Sequence, residues 1–341
     1  RLVDVANNAM TGLMISVGHR TKLFDTMASL RPSTSAEIAE AAGLNERYVR
    51  EWLGAMTTAR IVEHDPVQGT YTLPAEHAMS LTRAAGPNNM STLFQYLPLL
   101  GRVEDGVVRA FEEGGGVPYE EFDAFQRLMA EESGQVFDAT LVDVTLPLVP
   151  GLIERLHAGI DVLDVGTGAG HAINVMARAF PNSRFTGYDF SREGIGLAEA
   201  ESAAWGLRNA RFEVMDVATI EGPPQFDLIT AFDTIHDQKS PARVLSGIYE
   251  ALRPGATFLC VDIAGDSTHA GNMDNPLAPY LYTISTFHCM TVSLALGGEG
   301  LGTAWGQQKA LQMLSDAGFR GVRIERVEGD IVNNYYIARK R

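Results

Sequence analysis

The sequence predicts an α/β fold, a doubly wound seven-stranded sheet that closes on an antiparallel hairpin, behind an α-helical winged-helix domain. Three observations predict it. A strand-like run at residues 160–165 leads into glycines at alternate positions, Gly166, Gly168 and Gly170. Apolar residues at helical spacing follow, Ala172, Val175, Met176, Ala179 and Phe180, and stop at Pro181. Short apolar runs and helix-like stretches then alternate to residue 317, the pattern of βα units on a parallel sheet. The last two runs, 322–326 and 335–339, are joined so tightly that they must form an antiparallel hairpin.

The glycine-rich turn is where chemistry is expected. Its pattern is D-x-G-x-G-x-G from Asp164 to Gly170, with His171 in a slot that the dinucleotide fingerprint gives to glycine. Glycines let the backbone turn sharply and let a ligand approach where a Cβ would clash. An acid two residues before the first glycine suits a cofactor with a positively charged amino-acid end rather than a pyrophosphate. Strand 185–188 ends at Asp189, 23 residues after Gly166, where a carboxylate can accept both ribose hydroxyls. Strand 211–215 ends at Asp216, whose carboxylate, or the amide of Val217, could reach an adenine amino group.

Residues 160–262 resemble a class I S-adenosylmethionine-dependent methyltransferase. Asp164, Gly166, Gly168 and Gly170 match the first motif of that family, Asp189 its ribose-binding acid and Asp216 its adenine-side acid. Leu252-Arg253-Pro254-Gly255 matches the turn before its fifth strand. The resemblance implies S-adenosyl-L-methionine as cofactor, with Thr167, Phe190, Val217, Phe232 and Asp233 also at its site. In the family, a His-Asp pair after the fourth strand supplies the general base, and His236-Asp237 stands there, with Gln238 where Trp is common. A histidine titrates near neutral pH and can take the proton that an acceptor hydroxyl must lose. Asp237 is expected to orient the imidazole or fix the loop. The structural alternative is a histidine that caps the helix beginning near Ser240. A metal-assisted route would use Asp233 and Asp262, with Asp266 nearby. No Asp-Asn pair follows the fifth strand, and no metal is expected.

Residues 1–105 are expected to form the winged-helix domain. Residues 2–29 read as one long apolar helix, placed to bury a face against a second subunit. Ser35 is the expected N-cap of the next helix and Gly43 its stop, and Asn45 caps a third. Runs 61–64 and 70–73 form the wing. Arg47 and Arg50 would face DNA, but Glu46 and Glu51 lie beside them. Residues 1–82 carry seven Lys/Arg against nine Asp/Glu, a net of −2, so DNA is not an expected partner. The domain order resembles that of small-molecule O-methyltransferases, in which such a domain dimerises and closes a substrate pocket.

Residues 106–159 are expected to be a helical linker and pocket cover, with a break at Gly114-Gly115-Gly116 and helices over 120–130 and 136–156. Tyr119, Phe122, Phe125 and Met129 are its apolar positions. Residues 160–341 form the catalytic domain, with 264–306 as a long lid-like insertion whose glycines, Gly297 to Gly302, are expected to be mobile. Phe125, Met129, Tyr282, Phe287 and His288 are the candidate acceptor-pocket residues, His288 being the second candidate base.

The 341 residues are 45% hydrophobic, with a net charge of −15, which argues against a broad phosphate-binding surface. No run of eighteen apolar residues and no secretory signal is visible, and two unpaired-looking cysteines fit a reducing cytoplasm. The expectation is a cytoplasmic homodimer that methylates an oxygen of a small, largely apolar acceptor. The alternative is a transcriptional regulator whose methyltransferase-like domain senses the cofactor.

Overall fold

The computed structural model describes residues 1–122 and 125–341 and divides into two compact units, Arg1–Gly101 and Arg102–Arg341.

The smaller unit is helix-turn-helix plus wing. Its first stretch is two helices, α1 (Leu2–Arg20) and α2 (Leu23–Ser29), rather than one. Lys22, at φ +59°, breaks the helix with a left-handed residue. The turn brings Leu23, Phe24 and Met27 into one core with Ile15 and Trp52. Trp52 Nε1 donates to Met14 O at 2.8 Å. Helix α3 (Ser35–Ala42) is capped by Thr34, not by Ser35. The Thr34 hydroxyl accepts from Glu37 N, and the Glu37 carboxylate accepts from Thr34 N at 2.8 Å, a reciprocal capping box. The Ser35 hydroxyl donates to Glu46 instead (2.6 Å). Gly43 ends α3 at φ +66°, and Asn45 caps α4 (Glu46–Thr58) by accepting from Arg47 N. Strands β1 (Glu63–Asp65) and β2 (Thr70–Thr72) pair antiparallel as the wing. Helices α5 (Ala75–Leu81) and α6 (Tyr96–Gly101) complete the unit. Leu2, Val3, Val5 and Met10 stand exposed along α1.

The larger unit opens with α7 (Glu104–Glu113) and the glycine segment. The expected helices over 120–130 and 136–156 are redrawn. Residues 123 and 124 lie outside the described residues, and α8 (Phe125–Thr140) runs straight through the expected gap. Ser133 stays helical, its hydroxyl donating to Met129 O at 2.6 Å. The chain breaks later, where Gly151 at φ +73° starts α9 (Leu152–Ala158).

A seven-stranded sheet follows, made of β3 (Asp161–Val165), β4 (Arg184–Asp189), β5 (Ala210–Val214), β6 (Phe226–Phe232), β7 (Leu252–Ile263), β8 (Arg320–Glu325) and β9 (Asn333–Arg339). The spatial order is β5-β4-β3-β6-β7-β9-β8, parallel through β7 and antiparallel at β9 and β8. Central strands are apolar on both faces because both are covered. On one side Leu163, Ile229 and Phe258 pack against α12 (Pro241–Ala251) and α15 (Gly306–Asp316). On the other, Val162, Leu228 and Leu259 meet α9 and α10 (His171–Ala179), while α11 (Arg192–Ala204) adds Ile195 and Ala198. Strand β7 begins four residues earlier than expected. Arg253 there pairs with Asp161 at 3.0 Å and with Asp227, locking the amino ends of β3, β6 and β7.

Residues 264–306 are a helical excursion rather than a long loop. It holds α13 (Ala278–Ile284), a π turn at Ser285–Cys289 and α14 (Met290–Ala295). Its glycines, expected to be mobile, are tied to the loop after β6. Glu299 N donates to Lys239 O and Gly302 N to His236 O, both at 3.0 Å. Among the described residues no single helix is long and apolar enough to cross a membrane.

Candidate active site

Strand order reverses between β3 and β6, and the crevice beyond their carboxyl ends is the place for a ligand in an open α/β sheet. The glycine turn leaves β3 there. Gly166 sits at φ +71°, and a Cβ on it would come within 1.9 Å of the Thr234 hydroxyl. Gly170, at φ +70°, would meet Ala198 Cβ at 2.4 Å. The first glycine lets the loop after β6 close in, and the last lets α11 do so.

The acids of the motif are buried. Asp164 accepts from Thr230 Oγ1 at 2.7 Å, and burial pushes its carboxyl up to about 7. Asp189 accepts from Gly168 N and from Ser191 N, both at 2.8 Å, so it pins the middle of the glycine turn. Burial still holds its pKa above the ordinary value. Thr167 is buried beside it. Asp216 differs: it is exposed and accepts from Ala218 N at 2.9 Å, capping the turn that holds the buried Val217. The half-exposed Phe190 ring meets Tyr119 edge-on at 5.1 Å, and Phe232 meets Phe137 at 5.0 Å.

Beyond β6 the backbone is unusual. Asp233 takes φ +49°, held by its N–H to Val261 O (2.9 Å). Its Oδ1 is buried without a hydrogen-bond partner, and burial, then Asp262, pushes the carboxyl up to about 8. Three residues on, His236 is 4% exposed, and its Nδ1 lies 2.7 Å from Asp262 Oδ1. Trp305 Nε1 donates to the same oxygen at 3.0 Å. Burial works against a charge on the imidazole, but Asp262, with the Cys289 thiol second, raises its pKa well above the ordinary value.

The carboxylate on the imidazole therefore belongs to Asp262, at the end of β7, and not to Asp237. The Asp237 carboxyl, pushed up to about 7 by burial, accepts from Gln238 Nε2 at 3.2 Å. The same amide donates to Thr234 O at 2.9 Å, so Gln238 knots the loop from within. Nor does His236 cap α12, since its ring points to β7 instead. Asp233, Asp262 and Asp266 do not converge as a cation site. Asp266 accepts from Thr268 and Gln308, and among the described residues no group of three or more His, Cys, Asp or Glu side chains is arranged to hold a metal ion.

A second layer is aromatic. The Phe125 ring stacks on His288 at 3.7 Å and 15°, and Phe122 and Tyr119 meet the imidazole edge-on at 4.7 and 6.1 Å. Met129 lies one turn past Phe125 on α8. Tyr282 is elsewhere, its hydroxyl 3.0 Å from Asn272 Nδ2 and its ring beside His269. Phe287 is half-buried and makes none of these ring contacts.

Residues 9–83 match the Rv2258c-like winged HTH domain family, and residues 156–318 match a methyltransferase domain family. The chain joins a winged helix-turn-helix domain to a methyltransferase domain. Five curated methyltransferases, 29–34% identical, are matched over 31–43% of their own length, so the chain spans less than half of those relatives. An acetylserotonin O-methyltransferase of Mus musculus molossinus is 24% identical over 96% of this chain and 85% of that protein. Two solved structures share the fold over almost the whole chain. The human N-acetylserotonin methyltransferase in complex with SAM has a TM-score of 0.67 and 20% identity, covering 99% of this chain and 96% of that one. The mitomycin 7-O-methyltransferase MmcR has a TM-score of 0.73 and 18% identity, with the same coverage. The larger unit has the class I methyltransferase fold.

Three further residues stand at the site without a role in the sequence reading. The sequence points to Asp262 only as a metal ligand, yet a carboxylate ending the strand next to β6 is the signal for a partner to His236. Trp305 stands out in the sequence only as a large residue of the 264–306 insertion, and Gln126 carries no signal. Gln126 Nε2 donates to the Tyr119 hydroxyl at 2.6 Å, and its Oε1 lies 3.5 Å from where a Cβ on Gly168 would stand.

Proposed function

We propose that the protein transfers a methyl group from S-adenosyl-L-methionine to an oxygen of a small, largely apolar acceptor, with His236 as general base. The observation that carries the reading is the buried His236–Asp262 pair, set beside the glycine turn at the switch point of the sheet. The site residues fit the cofactor. Asp164, Asp189, Asp233 and Asp237 are carboxyls raised by burial, which suits a ligand carrying an ammonium and a sulfonium. Gly168 leaves open backbone where a side chain would stand.

In this reading Asp164 faces the amino-acid end, Asp189 the ribose, and Asp216 with Val217 the adenine. Gly166, Thr167, Gly168 and Gly170 form the floor, with Phe190, Phe232 and Asp233 at the walls. The bound cofactor supplies an electrophilic methyl group. Asp262 holds the proton on Nδ1 of His236, leaving Nε2 to take the acceptor's hydroxyl proton as oxygen attacks. Asp237 and Gln238 keep the loop that carries the base in place. The aromatic rings of Phe122, Phe125 and Tyr119 favour a flat apolar acceptor.

The same reading makes the protein a cytoplasmic homodimer, joined through the exposed apolar residues of α1. DNA is not its partner: Arg47 pairs with Glu51, and Arg50 with Glu46 at 3.4 Å, so the arginines of α4 are neutralised in place. The test is release of S-adenosylhomocysteine from the cofactor in the presence of phenols, flavonoids, quinols, amines and carboxylates. Turnover on a hydroxylated aromatic that vanishes in His236→Ala supports the reading. Tight cofactor binding with no turnover on any of them overturns it in favour of a cofactor-sensing regulator.

A further inference from the structure

His288 is 2% exposed, and neither of its ring nitrogens has a hydrogen-bond partner. Buried polar groups are nearly always paired, so an imidazole with both nitrogens orphaned needs a reason. Packing does not supply one, because a phenylalanine would stack on Phe125 equally well. The local backbone is unusual too. The π turn Ser285–Cys289 widens the helix where His288 sits, and such turns gather at functional sites. It presents two consecutive residues, His288 and Cys289, to the buried interior, and the Cys289 thiol is in hydrogen-bond contact with His236.

The cover over His288 is also built. A Cβ on Gly116 would lie 1.8 Å from Thr291 O, so the chain there is pressed directly onto α14. Val117 N donates to Thr291 Oγ1 at 2.9 Å. That contact delivers Tyr119 and Phe122 to the imidazole. Burial, then the charge on His236, holds the His288 pKa down to about 3. The ring is thus neutral at working pH and presents one N–H donor and one acceptor. It does not serve as the second base.

We infer that His288 selects the acceptor by hydrogen-bonding a second, neutral polar group on it, a hydroxyl or a carbonyl, while His236 addresses the hydroxyl to be methylated. The preferred acceptor class is therefore a flat aromatic molecule with two oxygen functions. A neutral imidazole offers no charge to a carboxylate, so an acid is the weaker match. This inference rests on the reading of the site as an O-methyltransferase centre.

The experiment compares matched acceptors, naphthol against its dihydroxy and hydroxy-aldehyde analogues. Their binding to protein loaded with S-adenosylhomocysteine is measured by calorimetry, and their turnover by KM and kcat. The wild type should bind the doubly oxygenated members at least tenfold more tightly. In His288→Phe that gap should close, and His288→Gln should restore part of it. If the phenylalanine variant fails to fold, His288→Leu carries the same comparison. No gap in the wild type, a gap that survives in the variant, or an equal loss for all acceptors overturns the inference. Absence of methyl transfer by the wild type to any acceptor fails the underlying reading instead, a separate result.

Discussion

Two buried histidines face the same site and are tuned in opposite directions. His236 lies against Asp262 and is raised well above the ordinary imidazole range. His288 lies among aromatic rings, has no partner, and is lowered to about 3. Both are almost wholly buried, so burial alone does not decide the outcome. One carboxylate at 2.7 Å outweighs the desolvation of His236, and its absence leaves desolvation in command at His288. The first arrangement favours a protonated imidazole and the second a neutral one. The contrast teaches that chemistry in this pocket is assigned by second neighbours, not by residue type.

The largest effect should come from removing the charged member. His236→Ala is expected to lower kcat by about 10²- to 10⁴-fold while cofactor affinity stays within about twofold. Undiminished turnover would place the base elsewhere. Removing the carboxylate should come next. Asp262→Asn is expected to lower kcat/KM by at least about tenfold, since the imidazole loses its orientation. It should also move the pH profile. Activity of the wild type should rise with pH as His236 loses its proton, at a midpoint above the ordinary value of about 6.5. In the variant that limb should shift toward acid, and a limb that stays put would break the assignment of Asp262.

A change outside the histidine pair should leave both intact. Asp189→Ala is expected to weaken cofactor binding about tenfold, because it removes charge-assisted hydrogen bonds and also releases Gly168. Equal affinities by calorimetry would sink the ribose assignment. The smallest effect is on stability. His288 stays neutral in the folded protein down to about pH 3 but titrates near 6.5 when unfolded. Its neutral form thus supports the fold above about 6.5, and that support is lost as pH falls toward 3. His288→Phe should therefore gain on the wild type by about 2 kcal/mol between pH 7 and pH 5, a few degrees in Tm. A melting-temperature difference independent of pH would show that His288 is not buried and neutral.

Much of this was legible in the sequence. The run from Asp164 to Gly170, the acid ending β4, the acid just after β5, and the position of His236 are local features. Each is set by a strand end or a turn, so its place is read from spacing and its expected role from the resemblance. The partner of His236 was not legible because Asp262 lies 26 residues away, and only the neighbouring of β6 and β7 brings it close. The break at Lys22 was hidden for another reason: lysine carries no turn signal, and packing of Phe24 against Trp52 at 5.2 Å overrides its preference. The segment 264–306 was misread as loop because its helices are short and its glycines cluster at one end. Tyr282 is one of the large residues of that segment, and only the fold shows it turned toward Asn272.

The ties of His236 fall on either side of that segment. Its imidazole is held by Asp262, just before the segment, and its backbone carbonyl by Gly302, at its far end. Everything between, including His288, forms a cassette closed at the base of the loop it serves. Descendants of this chain can rewrite the cassette, lengthening a helix or exchanging the residue at 288, without disturbing the pair of His236 and Asp262. A fold arranged so keeps its reaction constant while its choice of molecule drifts, which is the condition for one enzyme to diversify into many.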